Sequence, residues 1–79
     1  MQTLKDDIRQ RILVTAREEF IAHGVRCTSI RTVAHKAGVA VGNVYNYFRS
    51  KDELFCEVLR PLISALHRYI LSHNEERHL

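Results

Sequence analysis

Asn43, Tyr45, Asn46 and Tyr47 place four hydrogen-bonding side chains within five consecutive residues, and the cations Arg31 and Lys51 flank them in sequence. A carboxamide both donates and accepts, so asparagine can pair bidentately with an adenine edge or bind a phosphate oxygen. A tyrosine hydroxyl can donate to phosphate, and the guanidinium of Arg31 matches the acceptors of a guanine edge or of the backbone. Gly42 lacks the Cβ that would hold its backbone away from a surface. Val41 offers only an apolar contact, such as one to a thymine methyl. Each residue also has a plainer account. The asparagines and Arg31 can be merely solvated, Gly42 can be a turn residue, and one tyrosine can be core, Tyr47 foremost because it adjoins Phe48. Tyr45 and Tyr47 would project about 200° apart on a helix, so they cannot serve one purpose.

The placement of charge favours a polyanion as the partner of these groups. From Phe20 to Lys51 the chain carries Arg26, Arg31, Lys36, Arg49 and Lys51 and no acid, a net +5, whereas the remainder nets −2. Such a split is the electrostatic footprint of a nucleic-acid-binding face. Arg26, His35, Lys36 and Arg49 are read as contributors to the general field. Lys51 falls in the first turn of a helix, where a cation gains nothing from the dipole but can grip a phosphate. Thr28 reads as a helix cap whose neighbouring amides can hold a phosphate, with capping alone as the alternative.

The totals narrow the class further. At 79 residues the chain is one small domain with a modest core. Its 27% charged and 46% apolar residues are globular values. No apolar run approaches the length of a membrane helix, and MQTLKDD has no secretory pattern. Cys27 and Cys56 form no metal or disulfide framework, which fits free thiols in the cytoplasm, with one disulfide between them left open. The five histidines, His23, His35, His67, His73 and His78, lack zinc-site spacing, so no metal and no cofactor is expected. No convergent polar site suggests an enzyme.

Four helices must position these side chains. Thr3 caps the first, whose apolar stripe is Ile8, Ile12, Leu13, Ala16 and Phe20, and Gly24 stops it. Asp7 and Arg11 can pair on its wet side. Thr28 opens the second, with Ile30, Val33, Ala34 and Ala37 inward and Gly38 as its end. Val39 or Ala40 opens a third that runs to about Phe48, with Val39, Val44 and Phe48 in the core. Neither short helix can stand alone. The capping box Ser50-x-x-Glu53 starts the fourth, which continues through Leu54, Phe55, Val58, Leu59, Leu62, Ile63, Leu66 and Ile70. Pro61 should bend it near Glu57 or end it at Arg60, and the in-phase stripe favours one bent helix. The polar tail from Ser72 should fray. The expected fold is all-α, a bundle of about four helices with a helix-turn-helix: a homeodomain-like three-helix core plus a long fourth helix.

The segment TSIRTVAHKAGVAVGNVYNYFRSKDELF, residues 28–55, closely resembles the N-terminal DNA-binding domain of TetR-family transcriptional regulators. The matching positions are Thr28, Val33-Ala34, Ala37-Gly38-Val39, Gly42, Tyr45, Tyr47-Phe48 and Lys51-Asp52-x-Leu54, with Ala16, Phe20 and Gly24 upstream. The resemblance implies a helix-turn-helix over 29–48 within a DNA-binding domain at 5–65. Residues 66–79 are then the end of helix 4 and a polar tail, at the junction to a C-terminal domain that dimerises and takes a small-molecule inducer. It implies a repressor that binds a pseudo-palindromic duplex as a homodimer in the full-length parent, with a monomer expected for this stretch alone. The DNA-binding set is Thr28, Arg31, Val41, Gly42, Asn43, Tyr45, Asn46, Tyr47 and Lys51, with the hydroxyls of both tyrosines on phosphates. One departure is Ala40, where many relatives carry a polar cap. Its helix should start loosely without DNA. The competing reading is a protein-interaction bundle of the same fold that does not bind DNA, supported by the stripe at Leu62, Ile63, Leu66 and Ile70.

Overall fold

The computed structural model describes residues 4–77, in which four helices follow one another: α1 (Leu4–His23), α2 (Ile30–Ala37), α3 (Val41–Tyr47) and α4 (Lys51–Arg77). Thr3, expected to cap α1, and His78 lie outside the described residues. The 3.6-residue periodicity of α1 places Ile12, Ala16 and Phe20 inward, with Ile8 and Leu13 partly buried beside them. Gly24 takes the left-handed conformation at φ 82° and its N–H closes on the Phe20 carbonyl at 2.9 Å, which ends the helix.

The short helices are held by their caps and by burial. Ser29, not Thr28, caps α2: its hydroxyl accepts from the Thr32 N–H at 3.1 Å. Thr28 is instead 2% exposed, and its hydroxyl donates inward to the Glu19 and Gly24 carbonyls at 3.2 and 2.8 Å. Two adjacent hydroxyl residues were both competent to cap, and burial decides which one turns in. Gly38 at φ 74° ends α2, its N–H bonding to the His35 carbonyl at 3.2 Å. Ala40 is the N-cap of α3 and supplies no side-chain hydrogen bond. Val44 and Phe48, both almost fully buried, anchor α3 in the core, and Val39 packs partly buried against it.

Ser50 caps α4 by accepting from the Glu53 N–H at 3.1 Å, while the Glu53 carboxylate reaches back to the Arg49 N–H. The helix passes through Pro61 and extends to Arg77, so the tail from Ser72, expected to fray, is helical as far as the description runs. Leu54 and Val58 close the core, and beyond Pro61 the stripe is uncovered: Leu62, Ile63, Leu66 and Ile70 are all exposed.

Two ion pairs cross between helices. Arg9 meets Glu57 at 3.0 Å, Lys36 meets Glu19 at 2.9 Å, and the expected Asp7–Arg11 pair does not form. Among the described residues no helix is long and apolar enough to cross a membrane, and no group of side chains is placed to hold a metal ion.

Candidate nucleic-acid interface

The two short helices and the start of α4 enclose an open groove on one side of the molecule. Arg26, Ser29 and Arg31 line it from the α1–α2 connection and the first turn of α2, Val41 and Tyr45 from α3, and Lys51 from α4. Residues far apart in sequence thus meet because the left-handed turn at Gly38 reverses the chain between α2 and α3. Arg26, Arg31 and Tyr45 are exposed. Among the described residues, Arg26, Arg31 and Arg49 enter no ion pair, so their charge is available to an external anion.

Lys36 differs from these three. Its ammonium donates to Glu19, whose side chain is only 9% exposed, so one of the five positive charges in the acid-free segment is answered from just outside it. Lys51 is half-buried and its ammonium donates to the Val25 carbonyl at 2.8 Å, which leaves two N–H groups for another acceptor.

The remaining expected residues take distinct positions on α3. Gly42 is exposed, and a Cβ built on it would meet nothing within 4 Å. No neighbour in the fold therefore requires glycine there, although it costs the helix about 0.5–1 kcal/mol relative to alanine. Asn46 is exposed and donates through Nδ2 to Asn43 Oδ1 at 3.3 Å, so the two amides form one polar cluster a helical turn apart. Val41 and Tyr47 are half-buried against the core, with the Tyr47 and Phe48 ring centres 6.4 Å apart. Tyr45 alone of the two tyrosines lines the groove. Thr28 also borders it, but with its hydroxyl spent inward.

Ser29 is the residue that sequence reasoning passed over. It presents an exposed hydroxyl at the mouth of α2, within 3.0 Å of the Thr32 hydroxyl. The signal was available: Ser29 and Thr32 have the spacing of an N-cap and its N3 partner.

Comparison with known proteins identifies a family. Residues 12–58 match the family model described as "Bacterial regulatory proteins, tetR family". The HTH-type transcriptional repressor KstR2 of Mycolicibacterium smegmatis is 34% identical over 58 residues, covering 73% of this chain and 28% of the relative. The HTH-type transcriptional regulator SrpR of Pseudomonas putida is 43% identical over 54 residues, 68% of this chain and 25% of the relative. KstR2 of Rhodococcus jostii is 34% identical over 62 residues, 78% of this chain and 30% of the relative. The chain thus spans under a third of the length of these relatives. No solved structure matches it.

Proposed function

The chain belongs to the tetR family of bacterial regulatory proteins, and from that premise we propose that it supplies the DNA-binding step of a transcriptional repressor by setting α3 into the major groove. The observation that supports this reading is the groove itself. Arg26, Arg31 and Lys51 gather around Tyr45, next to a helix that exposes Gly42 and Asn46.

The cations and the Tyr45 hydroxyl grip phosphates, which fixes register without reading sequence. Gly42 lets the α3 backbone sink toward the base edges. Asn43 and Asn46 pair with those edges, Val41 reaches a thymine methyl, and Arg31 takes a guanine edge or the adjacent backbone. Tyr47 contributes its hydroxyl from a half-buried ring. At Thr28, the phosphate contact passes to Ser29 and the free amides of α2, because the threonine hydroxyl is engaged inside.

The whole protein acts in the cytoplasm by binding, not by catalysis, and as a homodimer on a pseudo-palindromic operator whose half-sites lie about one helical turn apart. The uncovered stripe at Leu62, Ile63, Leu66 and Ile70 is its seam to a C-terminal domain that dimerises and takes a small-molecule inducer. The names of the KstR2 relatives as repressors support the direction of regulation.

The deciding experiment is selection of bound sequences from a random duplex pool, followed by titration at two salt concentrations. A recurring half-site is expected, with affinity falling steeply as salt rises. Arg31→Ala should relax preference at one position of that half-site. Failure to enrich any sequence, combined with salt-insensitive or absent duplex binding, would favour the protein-interaction module that the same stripe on α4 supports.

A further inference from the structure

We propose that Lys51 is a positioning residue as well as a phosphate ligand: its ammonium pins the α1–α2 loop to the start of α4 and so sets where Arg31 stands relative to α3. The bond from Lys51 Nζ to the Val25 carbonyl, 2.8 Å long, bridges positions 26 residues apart.

Ser29 bonds forward into α2, and the other hydrogen bonds of this loop stay with α1 or within the loop. The Gly24 N–H returns to Phe20, the Thr28 hydroxyl to Glu19 and Gly24, and the Thr28 N–H to Val25 at 3.3 Å. Among the described residues, only Lys51 bonds the loop to α4. The loop leads through Ser29 into Arg31, and three residues separate the end of α3 from the start of α4. The ammonium therefore joins the two segments that frame the groove.

The chemistry suits a lysine. A carbonyl is a single acceptor, and a compact ammonium can satisfy it with one N–H while keeping two for phosphate. Tethering also orders a flexible side chain before DNA arrives, which removes part of the cost of ordering it on binding. The Val25 carbonyl accepts from both Lys51 and the Thr28 N–H, so the Thr28 amide reports directly on the latch.

The test has an arm that needs no DNA. Lys51→Met keeps the aliphatic stem and removes the donor. In the free protein, amide exchange at Thr28 should speed up by about tenfold while Ala16 in the core stays at its wild-type rate. Lys51→Arg, which can donate to the same carbonyl, should restore most of the protection. Unchanged exchange at Thr28 in Lys51→Met overturns the latch, and so does equal acceleration at Thr28 and Ala16, which would make the bond a general support of the core.

The second arm rests on the DNA-binding reading. On a duplex selected by the wild-type protein, Lys51→Met and Arg31→Ala should be non-additive, the double variant losing less than the product of the single losses. Independent losses overturn the positioning of Arg31. If no duplex is bound at all, that reading fails while the exchange arm still decides the latch.

Discussion

Lys36 on α2 donates to the carboxylate of Glu19 on α1 at 2.9 Å, and Glu19 is the buried acid among the described residues. The pair has two opposite effects, since it ties the short helix to α1 while removing one cation from the field around the groove. Glu19→Gln should therefore cost about 1 kcal/mol in urea unfolding, a modest loss because Lys36 is half-exposed. The same variant should bind random duplex more tightly at low salt and show a steeper salt slope. A weaker duplex interaction with an unchanged slope would mean that Lys36 lies outside the field that DNA feels.

Gly42 separates stability from binding in the opposite direction. With open space where its Cβ would sit, Gly42→Ala should stabilise the free protein by about 0.5–1 kcal/mol. It should also weaken binding to the selected duplex, because the methyl group holds the backbone off the groove floor. Thermal unfolding and a duplex titration of the same preparation check both signs.

Ala40 leaves the first amides of α3 without a side-chain acceptor. Ala40→Ser should add about 0.5–2 kcal/mol of stability, with slower amide exchange at Gly42 and Asn43 as the local signature. A gain in melting temperature without slower exchange there would place the effect outside α3.

Arg9 ties α1 to α4 and to the residue that caps the end of α3. Its guanidinium lies 5.4 Å from the centre of the Phe48 ring and 3.0 Å from Glu57, which also holds Arg60 at 2.7 Å. Arg9→Ala should lose about 1 kcal/mol, the combined scale of a partly exposed cation–π contact and ion pair. Arg9→Lys should lose less in the same unfolding measurement, since it keeps the charge but not the planar stack over Phe48.

What the sequence made legible follows from what periodicity can carry. The inward faces of α1 and α2, the glycine stops at Gly24 and Gly38, and the capping box at Ser50 all rest on spacings of three or four residues. Contacts that depend on tertiary approach were not legible. From sequence, Lys51 reads as a phosphate ligand alone, because nothing there says that the Val25 carbonyl stands beside it. Lys36 reads as one more contributor to the general field because Glu19 is 17 residues away. Thr28 and Ser29 are adjacent and chemically alike, so only the packing of the loop under α1 tells the inward hydroxyl from the cap. At Pro61 the phase of the stripe was the reliable guide, and the helix runs on.

The way α3 is held has a consequence for how this domain can change over generations. Within α3 only Val44 is fully enclosed, and Phe48 just after it completes the anchor. The exposed positions Tyr45 and Asn46 contribute little to the core, and substitutions at such positions usually shift stability by about 0.5 kcal/mol or less. On the proposed reading of α3, new sequence preferences can therefore be sampled there while the fold stays intact, so that recognition would diversify faster than the scaffold that presents it.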